Sequence, residues 1–218
     1  IGTLRAQMAS RHPAVRFLGI VDADAGRAAR LAEATGARHH GTDAAALIGH
    51  PEVDAVIVST PEGEHVAPIL LALDAGKPVL VEKPIATTLA DADRILDAVA
   101  RTGGDLRVGY SRRYKDCFLR SKEQMVRGRL GPVTAALARV YNSRAQAFSI
   151  LARDPSLTPV VDVLTYYVDL LLWFLEGDRP VEVVARAAHG VFRDAGYRAE
   201  DAAWAIVTMR SGAILNLG

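Results

Sequence analysis

Cysteine is all but missing: Cys117 stands alone among 218 residues. No internal disulfide can form, no cysteine framework for a metal exists, and the chain reads as cytosolic. Cys117 reads as a passenger and not as a nucleophile. An excess of either charge is lacking too. The 26 basic and 25 acidic residues leave a formal net charge of +1, and no Lys/Arg stripe is present that would release phosphate counterions. Nucleic acid is thereby disfavoured as a partner. Long apolar runs are absent, since the stretch from Val168 to Leu175 falls short of the ~20 residues a bilayer requires and begins beside Asp169, which excludes a membrane span. The first residues, Ile1-Gly2-Thr3-Leu4-Arg5, show neither a basic region followed by an apolar stretch nor an initiator methionine, and predict that sequence is missing upstream. Internal repeats and low-complexity tracts are likewise absent, with Pro and Gly spread as punctuation.

What is present is half hydrophobic, enough for one large core or two modest ones. A helix is predicted over Thr3–Ser10 and a buried strand over Val15–Val21, closing on Asp22. Asp24 can cap a helix that runs to Gly36. A strand from about Asp54, a helix from Glu64 to Ala75 stopped by Gly76, a strand over Pro78–Val81, a helix over Thr88–Ala100 and a strand over Leu106–Tyr110 follow. Such alternation with short connections yields a parallel sheet, hence an α/β, Rossmann-type doubly wound domain.

After Arg113 the rhythm changes. A helix near Cys117–Arg127, strand-like residues over Val133–Tyr141, a polar irregular stretch over Asn142–Thr158, an apolar helix over Val161–Leu175, and strands over Val181–Ala187 and Ala203–Met209 predict an α+β domain with an open mixed or antiparallel sheet. The boundaries expected are 1–112 for the Rossmann-type domain, without its first strand and most of its Gly-rich turn, and 113–218 for the second domain, which stops at Gly218 inside a strand.

A dinucleotide site uses the N-terminus of the first helix, where free backbone N–H groups hold the pyrophosphate. Gly2 stands where the last glycine of the turn would be, a place that an ordinary loop glycine fills equally well. Asp22, at the tip of a strand, can accept the ribose hydroxyls of NAD and repel the 2′-phosphate of NADP, or simply cap a helix. Three further segments fall in order at the C-terminal ends of predicted strands, the edge where such sheets bind ligands. They are Ser59-Thr60-Pro61 with His65, Gly76-Lys77-Pro78-Val79-Leu80-Val81-Glu82-Lys83-Pro84, and Val108-Gly109-Tyr110-Ser111-Arg112-Arg113-Tyr114.

This order and wording resemble the glucose-fructose oxidoreductase / inositol dehydrogenase / MocA family. The resemblance implies that the Glu-Lys-Pro motif lies beside a nicotinamide, with Lys83 as the catalytic lysine, Glu82 as a nicotinamide-ribose contact, and Ser59, Thr60, Pro61 and His65 near the cofactor. Read without the resemblance, Lys83 is a surface lysine on a turn and His65 a first-turn helix residue. Family members also carry Asp-x-Gly-x-His-x-x-Asp on a helix. Here the matching stretch runs from Asp162 to Asp169. Leu164 replaces the glycine and Tyr166 the histidine that serves as general acid/base.

Spacings of four and seven put Asp162, Tyr166 and Asp169 on one helix face. A phenol, with reference pKa about 10, needs a nearby cation to act as a base at neutral pH, and Lys83 is the cation expected to supply it. Tyr166 can alternatively pack or bind substrate. Asp162 is read as holding a substrate hydroxyl, and Asp169 as supporting structure.

The resemblance therefore implies an NAD-dependent dehydrogenase or reductase, NADP being possible, that acts on a sugar, polyol or related hydroxy compound and assembles as a homodimer or homotetramer through the open sheet of its second domain. The missing histidine leaves an alternative, a non-catalytic member that binds a sugar or dinucleotide as a sensor or assembly subunit.

Overall fold

The computed structural model describes residues 1–155 and 157–218, which fall into two compact units, Ile1–Gly109 and Tyr110–Gly218.

The first unit alternates helix and strand, with two elements the sequence pattern does not mark, β2 and α3: α1 (Gly2–Ser10), β1 (Gly19–Val21), α2 (Ala25–Thr35), β2 (His39–Gly41), α3 (Ala44–Ile48), β3 (Val56–Val58), α4 (Val66–Asp74), β4 (Val79–Val81), α5 (Leu89–Thr102) and β5 (Leu106–Val108). All strand pairs are parallel, in two ladders, β1-β2 and β3-β4-β5. Side chains set the helix limits. The Asp24 carboxylate accepts the Arg27 N–H at the start of α2, and the Thr88 hydroxyl accepts the Asp91 N–H at the start of α5, each meeting a donor the helix itself leaves unpaired. Gly36 and Gly103 end the same helices with φ of 66° and 65°, a left-handed conformation that costs glycine nothing. Apolar burial is divided as well. Val58, Ile69, Leu73, Val79, Val81 and Ile95 form one cluster, and Ala6, Ile20, Ala28 and Ala32 another.

In the second unit α6 (Asp116–Val126), β6 (Ala135–Ala138) and α7 (Arg144–Arg153) precede a π-helical turn over Val160–Leu164. Then come α8 (Thr165–Phe174), β7 (Pro180–Ala188), α9 (Val191–Asp194), β8 (Ala202–Met209) and β9 (Ile214–Leu217). The sheet has the order β6-β9-β8-β7, with β6 and β9 parallel and the other pairs antiparallel, a mixed sheet as expected. Val207, Met209, Leu215 and Leu217 on one face meet Leu164 and Leu171. The opposite face carries a register row, Val184, Ile206, Asn216 and Leu137, whose three apolar members are exposed.

Several elements depart from the sequence reading. Pairing begins only at Gly19, not Val15, because the Val15 N–H is drawn into a turn by the His12 carbonyl at 3.0 Å. The helix expected from Glu64 starts at Val66, after a 3₁₀ turn over Glu62–Glu64. The stretch 142–158, expected to be irregular, contains α7, capped by the Ser143 hydroxyl and seated on the buried Ala147 and Leu151; Ser156 of that stretch lies outside the described residues. The apolar helix around Val161–Leu175 opens with the wide turn Val160–Leu164.

Candidate functional site

In the first unit the candidate cofactor residues sit at the C-terminal tips of parallel strands. Asp22 follows β1, and its Oδ1 accepts the Asp24 N–H at 2.8 Å, Arg27 Nε at 3.0 Å and Arg27 Nη2 at 2.7 Å. Hydrogen bonds from Arg27 first and the Asp24 backbone second hold the Asp22 carboxyl below the usual carboxylate range, while Asp22 pushes the Arg27 guanidinium up. Asp22 thus remains an anion at neutral pH, with its charge partly compensated.

Ser59 follows β3. Its Oγ is buried without a hydrogen-bond partner, an arrangement that calls for one. Gly2, at the N-terminus of α1, lies directly opposite: a Cβ built there would stand 3.5 Å from the Ser59 Cβ. The helix end with its free N–H groups and the orphaned hydroxyl therefore share one small space.

The turn after β4 is held from two sides. Glu82 is buried, and Arg5 Nε of α1 donates to its Oε1 at 2.6 Å. Gly109 packs so closely that a Cβ would come within 3.2 Å of Glu82 Oε2 and of the Val81 carbonyl oxygen. Lys83 is half-buried and joined to Pro84 by a cis peptide. His65 is fully buried, with Nδ1 2.8 Å from the Pro84 carbonyl oxygen and Nε2 3.1 Å from that of Thr60. Both partners are acceptors, so a neutral ring, with its single N–H, donates to one carbonyl at a time; His65 is wedged between the turn at Thr60-Pro61 and the turn at Lys83-Pro84.

The second unit gathers another group of polar and aromatic side chains where the Ser111–Tyr114 turn meets α8. Tyr110 Oη lies 2.9 Å from Thr165 Oγ1. Arg113 grips the largely buried Asp169 with two hydrogen bonds, Nε to Oδ2 at 2.8 Å and Nη2 to Oδ1 at 2.5 Å; the bond to Asp169 raises the Arg113 guanidinium further. The Arg112 guanidinium lies over the rings of Tyr166 and Tyr167, 5.1 and 4.5 Å from their centroids. Tyr110 meets the Tyr166 ring edge-on at 6.2 Å. Asp162 occupies the π-helical turn and lines a shallow cleft with Asn142, Pro159 and Val163.

Sequence reasoning missed Arg5, Gly109, Arg112 and Asn142. Of these, Arg112 and Gly109 stood inside a quoted motif, while Arg5 gives no signal until its contact with Glu82 is seen. Among the described residues no group of three His, Cys, Asp or Glu is placed to hold a metal, and no helix is long and apolar enough to cross a membrane.

A dinucleotide fits the first unit's donor set on its own terms. The helix N-terminus at Gly2 suits a pyrophosphate, the unsatisfied Ser59 hydroxyl awaits a partner, and the Asp22 carboxylate suits a ribose diol.

Comparison with known proteins points the same way. Residues 1–110 match the family model described as an oxidoreductase family with an NAD-binding Rossmann fold, and residues 118–218 match the GFO/IDH/MocA C-terminal domain. Inositol 2-dehydrogenase 2 of Saccharopolyspora erythraea is 44% identical over 118 residues, covering 53% of this chain and 34% of that protein. Inositol 2-dehydrogenase of Acidothermus cellulolyticus is 36% identical over 146 residues, or 66% of this chain and 41% of that one. A probable dehydrogenase from Thermotoga maritima superposes with a TM-score of 0.85 at 25% identity, covering 99% of this chain and 64% of its own. The matched regions span 34% and 41% of the two curated relatives.

Proposed function

Because the chain belongs to the GFO/IDH/MocA family of oxidoreductases, we propose that it is part of an NAD-dependent dehydrogenase acting on a hydroxyl of a sugar, polyol or related hydroxy compound. The names of its inositol-dehydrogenase relatives favour the polyol class. The observation that carries the reading is the strand-tip arrangement in the first unit, where the anionic Asp22, the orphaned Ser59 hydroxyl facing Gly2, and the braced Glu82-Lys83 turn line up with what a dinucleotide needs.

Nicotinamide, when bound, supplies a hydride acceptor or donor at C4. The chain's part is to position and to move a proton. Asp22 selects NAD through its charge. Glu82, held by Arg5, is a ribose contact, and Lys83 is the lysine that orients the substrate hydroxyl or relays its proton. Tyr166, with Asp162, is the other candidate for that proton. A small hydroxylated substrate and a homodimer or homotetramer complete the proposal, the exposed row Val184, Ile206 and Leu137 being the self-association surface.

The substitution of tyrosine at 166 favours a second reading, a member that binds sugar or dinucleotide without turnover. Binding of NADH and NADPH by fluorescence quenching, followed by absorbance at the nicotinamide band with a panel of polyols and sugars, separates the two. Reduction of NAD by any of them, abolished in Lys83→Ala with NADH affinity kept within about threefold, supports the enzyme. Dinucleotide binding without turnover supports the second reading, and no dinucleotide binding at all overturns the enzyme and leaves the second reading only a sugar as its ligand.

A further inference from the structure

We propose that Arg112 is an anion-recognition residue and that the substrate carries a carboxylate next to its hydroxyls. The claim deepens the dehydrogenase reading, and its test does not depend on turnover. Two arginines stand side by side in the Ser111–Tyr114 turn, and the structure uses them differently. Arg113 spends Nε and Nη2 on Asp169 in a two-pronged ion pair, so its charge is already met by a carboxylate. Arg112 faces two aromatic rings, Tyr166 and Tyr167. Stacking on rings fixes the plane of a guanidinium and satisfies its faces, but none of the in-plane N–H donors. One of those donors, Nε, is buried with no hydrogen-bond acceptor.

A buried charged donor in that state needs an acceptor. A planar oxyanion answers both conditions at once, since its two oxygens accept from Nε and from a terminal nitrogen in the plane that the tyrosines set. A hydroxyl of a neutral polyol offers one weaker acceptor and no charge. Arg112 also lies directly over the ring of Tyr166, the residue proposed for the hydroxyl proton, so an anion bound there is presented beside that residue. The ligand class that follows is a uronic or aldonic type of sugar acid or another hydroxy carboxylate.

The test is calorimetric titration of the native protein, with and without saturating NADH, using glucuronate and galacturonate against glucose and galactose, pairs that differ by a carboxylate in place of a hydroxymethyl group. The expected result is at least one acid binding about tenfold or more tighter than its neutral partner. That preference should disappear in Arg112→Gln and survive in part in Arg112→Lys, which keeps the charge and loses the fork. Circular dichroism establishes that the variants are folded; should Arg112→Gln fail to fold, the comparison of wild type with Arg112→Lys still reads the fork. Equal affinity for acid and neutral sugar, no binding of either acid, or a preference that persists in Arg112→Gln overturns the inference. Turnover of neutral polyols without acid preference leaves the dehydrogenase reading standing and removes this one, whereas an Arg112-dependent acid preference without dinucleotide binding does the reverse.

Discussion

Asp22 carries a negative charge held in place by Arg27, and its proposed place at the ribose can be tested through dinucleotide preference. A 2′-phosphate approaching Asp22 meets repulsion, so Asp22→Asn is expected to raise NADPH affinity relative to NADH by about tenfold, or ~1.4 kcal/mol; fluorescence titration with both cofactors measures it, and an unchanged ratio removes Asp22 from the site. The sign of its pH dependence follows from the depressed carboxyl. The favourable contribution of the Asp22–Arg27 pair to stability is complete above the ordinary carboxylate pKa of about 4 and is lost only as pH falls through the depressed value. Asp22 should therefore carry a constant charge from about pH 5 to pH 8, and a change of cofactor preference within that window belongs to the 2′-phosphate, whose second pKa is about 6. Asp169 behaves differently because it is largely buried under Arg113. Arg113→Ala leaves a carboxylate with no partner in that position and should cost roughly 1–3 kcal/mol in urea unfolding, the low end reflecting the partial exposure of Arg113.

Among the elements, α7 is the most instructive. Leu151 is fully buried against Phe192, Ala147 and Ala199, so Leu151→Ala is expected to destabilise the protein by about 2–5 kcal/mol, read from the denaturation midpoint. A destabilisation below ~1 kcal/mol would mean that the helix is not packed as described. The helix was readable in principle from Ser143 as a cap and from Ala147 and Leu151 one turn apart, but polar neighbours hid so narrow an apolar stripe. The strand-helix alternation of the first unit and the mixed sheet of the second were plain because β-branched runs, glycine stops and capping residues agree with one another along the chain. β2 was not, since His39-His40-Gly41 has no apolar pattern and is a strand only because β1 pairs with it. The strand-tip motifs were visible as words. What those residues touch was not, because the contacts of Glu82 with Arg5 and of His65 with the Pro84 carbonyl join positions 77 and 19 residues apart, which no local signal records. The wide turn Val160–Leu164 escaped for a related reason, since no residue type in Val-Val-Asp-Val-Leu marks a π-helical turn apart from an α-helical one.

At the scale of the whole molecule, the exposed row on the second unit's sheet makes a prediction about assembly. If Val184, Ile206 and Leu137 are the self-association surface, Ile206→Asp should reduce the sedimentation coefficient to that of a monomer while leaving the circular dichroism spectrum unchanged; an unaltered coefficient places the contact elsewhere.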